Sequence, residues 1–179
     1  ADDIRPLGAR KKLVGQILIA AGAAYFTSSI ETFQNPSTGA IYQLGGWGKV
    51  VTVIWLVAFT NLINLIDGID GLAGGLALML MALLAYVGSA GGAILPVCCA
   101  AGMAGALVAF LRFNFPPARI YLGDGGAYFL GFLIGMIAMR LSQKGTVVAA
   151  LVAPLFALAL PIIDVGMAIL RRAVKGLPI

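Results

Sequence analysis

The sequence contains no histidine, and only 7 of its 179 residues are acidic. The first absence excludes histidine acid–base catalysis and histidine metal ligands within this chain. The second makes every carboxylate conspicuous. Charged residues amount to 11% against 61% hydrophobic, and the mean hydropathy is +1.01. Soluble domains run near about 25% charged, so the composition excludes that class and indicates an integral membrane protein. Cysteine is limited to the adjacent Cys98 and Cys99 inside an apolar run, which read as small packing residues rather than a disulfide or metal pair. Heptads and internal repeats are missing, and no signal peptide precedes the first charges. A net charge of +5 would suggest nucleic acid in a soluble protein. In a membrane it marks topology and contacts with anionic headgroups or phosphates, so no nucleic-acid partner is expected.

What the chain does have is long apolar runs. Those able to cross about 30 Å of hydrocarbon fall at 13–27, 50–66, 72–87, 93–111, 127–139 and 147–170. The expected fold is an all-α polytopic membrane protein of about six transmembrane helices, forming one transmembrane domain over 1–179. The fifth run is short, and Tyr128 and Phe129 read as its interfacial end. Six crossings leave both chain ends on one side, with Arg5, Arg10, Lys11, Lys12, Arg112, Arg119, Arg171, Arg172 and Lys175. The other side holds Lys49, Arg140 and Lys144. Nine basic residues against three assign both termini to the cytoplasm. Asn35-Pro36-Ser37-Thr38-Gly39, between short apolar stretches at 30–33 and 41–44, predicts a small β-hairpin on the outer face. Gly71, Gly74, Gly75, Gly102 and Gly105 suggest close helix packing.

Against this background one stretch stands out, Asn61-Leu62-Ile63-Asn64-Leu65-Ile66-Asp67-Gly68-Ile69-Asp70-Gly71-Leu72-Ala73-Gly74-Gly75. Its polar groups sit where one span ends and the next begins, and ionisable groups at such depth are functional candidates. Asn61, Asn64 and Asp67 recur every three residues, so on a helix they drift by about 60° per step and share a face. Gly68 and Gly71 free the backbone to bring Asp70 round beside them. A second segment runs from Arg112 through Asn114, Pro116, Pro117, Arg119 and Tyr121 to Asp124. The two prolines fix an extended path, and Gly123, Gly125 and Gly126 bracket Asp124 so that backbone can approach a ligand. Alone, Asp124 fits a helix-capping carboxylate equally well. Beside Asp67 and Asp70 the cation reading is preferred. Asp2 and Asp3 are adjacent carboxylates, which repel unless a cation or proton intervenes. The topology gathers Asp2, Asp3, Asp67, Asp70 and Asp124 at one surface, leaving Asp164 inside the last run and Glu31 outside. Such a cluster suits Mg²⁺ and a phosphorylated substrate.

Asn61–Gly75 together with Asn114–Gly126 resembles the polyprenyl-phosphate N-acetylhexosamine-1-phosphate transferases, glycosyltransferase family 4. The likeness covers the whole chain in matching order: Asp2-Asp3, the Asn-rich Asp-Gly-x-Asp-Gly loop, then Gly123-Asp124-Gly125-Gly126. Ile66 stands where the muramoyl-pentapeptide branch typically has threonine, so the chain looks more like the N-acetylglucosamine 1-phosphate branch. The resemblance implies transfer of a sugar 1-phosphate from a UDP-N-acetylhexosamine to undecaprenyl phosphate, with release of UMP, in a bacterial cell (inner) membrane. It implies a Mg²⁺ cofactor, with Mn²⁺ as the alternative, and leaves homodimer formation open. By position, Asp124 and Asp67 would be metal ligands. Asp2, Asp3, Asp67 and Asp70 would be catalytic, one of the first two taking the lipid phosphate's proton. Asn61, Asn64, Asn114 and Tyr121 would bind substrate, Tyr121 by stacking on uracil. Lys12 and Arg119 would contact phosphates. The family also carries spans ahead of its Asp-Asp pair and a His-rich loop after the span ending here at Arg171-Arg172. The chain is therefore expected to be an internal segment of a longer transferase and inactive by itself.

Two rival readings remain open at this point. A secondary carrier would also use intramembrane acids and glycine-broken helices, but near mid-bilayer. A non-catalytic scaffold for glycan assembly would tolerate replacement of the carboxylates.

Overall fold

The computed structural model describes residues 8–27, 29–34, 38, 40–142, 167 and 171. Asp2, Asp3, Asp164 and the expected sixth span at 147–170 lie outside the described residues, apart from Met167. Five helices follow in order: α1 (Ala9–Phe26), α2 (Trp47–Ile66), α3 (Leu72–Ala90), α4 (Ile94–Asn114) and α5 (Gly123–Ser142). Between α1 and α2 lie β1 (Thr32–Gln34) and β2 (Ile41–Gln43), an antiparallel pair with Phe33 opposite Tyr42. This is the expected hairpin; Asn35, Pro36, Ser37 and Gly39 of its turn sequence lie outside the described residues.

Each helix buries a stripe at a spacing of three or four residues, as a 3.6-residue period requires. On α2 the stripe is Thr52, Leu56, Phe59, Ile63 and Ile66, and on α3 it is Ala73, Ala77, Leu80, Leu84 and Gly88. These stripes join Leu107 of α4 and Leu130, Ile134 and Ile137 of α5 in one apolar core. α3 packs mainly on α4, α2 mainly on α5, and α1 on α2. The opposite faces are apolar too, with Leu18, Ile54, Met79 and Leu95 all well exposed. Outward apolar side chains on fully hydrogen-bonded helices are what a bilayer demands.

Four described helices, α2 to α5, are long and apolar enough to cross a membrane. α1 is not counted with them, because its first turn holds Arg10, Lys11 and Lys12. α5 is longer than its apolar run suggested. It starts at Gly123, so Asp124 and the flanking glycines form its first turn rather than a loop before it.

Glycine packing also differs from expectation. Gly75, Gly102 and Gly105 face open space among the described residues, whereas Gly74 meets Phe110 and Leu111 and Gly71 lies against the end of α4 at Asn114. The tightest helix contact is Gly131 on α5, where a Cβ would lie 2.4 Å from the Phe59 carbonyl oxygen. Small-residue spacing on one helix does not reveal whether a partner stands opposite. Cys98 and Cys99 are free and exposed, so they do not pack in the described core.

Candidate active site at one end of the bundle

Chain direction brings five termini to one end: the starts of α1, α3 and α5 and the ends of α2 and α4. The cross-links between them, described below, confirm that these termini meet. Lys49 and Arg140, in the first turn of α2 and the last turn of α5, occupy the opposite end. The described acids thus lie at helix ends rather than midway, which disfavours a mid-bilayer carrier site.

α4 stops at Asn114 because Phe115 precedes Pro116 and is driven into extended backbone, φ −67°, ψ 145°. Asn114 itself is 4% exposed, and both ends of its amide are used. Its Oδ1 accepts the Gly71 N–H at 3.0 Å, and its Nδ2 donates to the Ile120 carbonyl at 2.8 Å. Gly71, at φ +77°, takes the left-handed turn that starts α3, and its missing side chain leaves room for the Asn114–Pro116 backbone. A second tie runs from the Ala118 N–H to Asp70 Oδ2, 3.1 Å. Asn114 and Asp70, expected at substrate and in catalysis, therefore join the α2–α3 loop to the α4–α5 loop.

Asn61 is engaged with α1. Its Nδ2 donates to Gln16 Oε1 at 2.7 Å and to the Val57 carbonyl at 2.8 Å, while Gln16 Nε2 returns a longer bond of 3.4 Å. Gln16 escaped the sequence reading. Its signal was there, a long polar side chain in an apolar run, four residues after Lys12 and hence on the same helix face. Asn64 lies half-buried one turn further along α2, its carbonyl accepting the Asp67 N–H.

Below these ties the charged groups meet. Lys12 Nζ lies 2.6 Å from Asp124 Oδ2. Asp67, the residue that ends α2, faces the same place from the other side. Partial burial, and then the nearby Asp124 charge, push the Asp67 carboxyl above the usual range, partly offset by the Gly123 backbone N–H. Asp124 sits in the first turn of α5, where the helix dipole favours negative charge. Tyr121 and Arg119 are exposed on the loop that leads to Asp124, and the Arg119 backbone N–H donates to Phe113 O at 2.8 Å.

A cation fits this donor set. Two half-buried carboxylates converge, and no group of three His, Cys, Asp or Glu side chains assembles among the described residues. Mg²⁺ asks for little more, since it keeps waters and takes one or two carboxylates plus phosphate oxygens.

Fold and site together define a polytopic membrane protein with a carboxylate–ammonium centre at one end of its helices. A sequence profile of Glycosyl transferase family 4 matches residues 1–142, and the chain belongs to that family. It is similar to the "Probable undecaprenyl-phosphate N-acetylglucosaminyl 1-phosphate transferase" of Bacillus subtilis (strain 168), 34% identical over 178 residues, which cover 99% of this chain and 50% of the relative. It is also similar to the phospho-N-acetylmuramoyl-pentapeptide-transferase of Moorella thermoacetica, 39% identical over 141 residues, covering 75% of this chain and 44% of the relative. A protein of the same name from Leptospira biflexa matches over 44 residues at 46% identity, covering 25% of this chain and 12% of that protein. The chain spans about half the length of the curated relatives it matches most extensively.

Proposed function

We propose that this chain carries the phosphosugar-transfer centre of a longer bacterial membrane enzyme. The donor is a UDP-N-acetylhexosamine, first of all UDP-N-acetylglucosamine, and the acceptor is undecaprenyl phosphate. An oxygen of the lipid phosphate attacks the β-phosphorus of the donor, the pyrophosphate P–O bond breaks, and UMP leaves. The observation that carries this reading is the convergence of Asp67, Asp124 and Lys12 at one end of an apolar bundle. Both 34% and 39% identical relatives bear names of phosphosugar transferases, which supports the same chemistry here.

The reaction brings anionic groups together, so the protein's task is positioning and neutralisation. Asp124 and Asp67 would hold Mg²⁺ or Mn²⁺, which when bound neutralises pyrophosphate oxygens and the departing UMP. Lys12 and Arg119 supply positive charge at phosphates. Tyr121, 72% exposed and three residues before Asp124, offers a face for uracil. Asn64, half-buried on α2 three residues before Asp67, would bind substrate beside it. Asp2 and Asp3 complete the centre in this reading, next to the lipid phosphate. Nine basic residues lie on the side of the cluster by the sequence topology, against three opposite, which supports a cytoplasmic site.

The test is UMP release by the intact parent protein with UDP-N-acetylglucosamine, undecaprenyl phosphate and Mg²⁺. Asp124→Asn should cut the rate by about 10²–10³-fold while the protein still folds. Near-normal turnover in that variant removes Asp124 from the centre. A scaffold would survive the change without loss of function.

A further inference from the structure

Of the three consecutive basic residues that open α1, Lys12 is the one that pairs with a carboxylate among the described residues. Arg10 and Lys11 are exposed, whereas Lys12 turns inward with its side chain 21% exposed. The backbone beneath it is fixed. The Lys11 and Lys12 N–H groups both bond to Gly8 O, and one turn later the Gln16–Asn61 amide pair holds the same face of α1 against α2. Above that backbone the four-carbon stem gives the ammonium its reach. Asp124 remains 42% exposed, so solvent ions reach its carboxylate.

We propose that the Lys12 ammonium is an exchangeable counter-ion, holding Asp124 until a divalent cation replaces it and then turning toward the phosphates that the cation brings. This rests on the cation-binding reading of Asp67 and Asp124 given above. The electrostatics require some such exchange. Asp67 stands close enough for its charge and that of Asp124 to oppose each other, so positive charge between the two is favoured. Lys12 supplies that charge now, on the Oδ2 oxygen itself. An ammonium and a divalent cation on the same carboxylate repel each other, so the bound lysine and the incoming cation compete for Asp124. When the cation enters, the lysine is displaced while its helix stays in place. A flexible point charge suits this role better than the planar, forked guanidinium of Arg10. The displaced ammonium is then within a side chain's reach of whatever anion the cation binds. One lysine thus serves two states, covering the carboxylate before the substrate arrives and the phosphate afterwards.

The experiment is a Mn²⁺ titration of the intact parent protein without substrate, followed by electron paramagnetic resonance. Wild type, Lys12→Met, Lys12→Arg and Lys11→Met are compared. Loss of a competing ammonium should tighten Mn²⁺ binding in Lys12→Met by about two- to fivefold, the scale of one partly exposed ion pair. Lys12→Arg and Lys11→Met should stay near wild type. Equal or weaker binding in Lys12→Met overturns the exchange, as does an equal gain in Lys11→Met, which would make the effect one of general charge. Mn²⁺ bound by none of the proteins removes the cation reading itself. Should Lys12→Met fail to fold, amine labelling of wild type read by mass spectrometry decides. Mg²⁺ should raise the labelling of Lys12 relative to Lys11 severalfold, and added UDP should lower it again. An unchanged ratio on adding Mg²⁺ also overturns the exchange.

Discussion

Asn114 and Asp124 lie ten residues apart on the same loop-bearing segment, yet the structure uses them in opposite ways. Asn114 is buried, neutral and satisfied at both ends of its amide. Asp124 is 42% exposed, charged, paired with one ammonium and crowded by a second carboxylate. The first arrangement is stable as it stands. The second holds charge that a cation or a phosphate can rearrange. Polar residues in an apolar chain thus divide into those that set the frame and those that remain available for chemistry. What divides them is satisfaction: an amide that is buried and bonded at both ends offers a ligand little.

Substitutions should separate the two roles. The largest effect belongs to Asp124→Asn, with its expected fall of about 10²–10³-fold in UMP release and little change in thermal stability. Asn114→Ala should show the reverse weighting. It leaves the Gly71 N–H and the Ile120 carbonyl without their partner, at a cost of about 1–3 kcal/mol each if they stay dry. Its melting temperature in detergent should fall clearly. Any activity lost should return in part when Asp is tried at 114, since a carboxylate can still accept the Gly71 N–H. If Asn114→Ala melts like wild type but loses substrate affinity, the comparison breaks, and Asn114 belongs with the chemistry.

The frame extends into the α2–α5 contact that sets Asp67 beside Asp124. Gly131→Ala would place a methyl group 2.4 Å from the Phe59 carbonyl oxygen and 2.7 Å from the Thr60 Cα, both backbone atoms that cannot swing aside. Overpacking of this kind costs about 1–3 kcal/mol. Trp55, whose Nε1 donates to the Gly135 carbonyl at 3.1 Å, would have to shift with it. Melting in detergent, measured beside Gly102→Ala, checks this. Gly102 faces open space among the described residues, so its substitution should be nearly silent.

The contrast between those glycines shows what a sequence can and cannot disclose. Apolar runs fixed the positions of α2, α3 and α4, because burial in lipid needs only length and hydropathy. The hairpin followed from its turn residues. The grouping of Asp67, Asp70 and Asp124 at one end followed from counting crossings. The start of α5 is hidden in the sequence, since Gly123, Asp124 and Gly125 resemble a loop until the Asp67 carboxylate at the end of α2 meets the Gly123 N–H. Asn61 and Asn64 share a face of one helix by periodicity, but periodicity is silent on what stands across from that face. For Asn61 that neighbour is Gln16, forty-five residues earlier in the chain. Glycine spacing failed for the same reason. Pairing across helices is a property of two segments, and a pattern on one does not contain it.

The Gln16–Asn61 pair therefore gives the smallest and most discriminating prediction. Gln16→Ala removes the acceptor for Asn61 Nδ2 at 2.7 Å, although the Val57 carbonyl still receives that group. Because one partner remains, the loss of stability should be small, about 0.5–1.5 kcal/mol. Its larger consequence is positional. α1 packs principally on α2, and Lys12 stands one turn before this pair on the same face. Freeing α1 lets the Lys12 ammonium wander from Asp124, so Mn²⁺ should bind somewhat more tightly, in the direction of Lys12→Met but by less. UMP release should fall modestly, through weaker phosphate contact. Titration and turnover on the same preparation test both halves. If Gln16→Ala lowers stability and leaves Mn²⁺ binding unchanged, the amide pair belongs to the frame alone, and Lys12 is positioned without it.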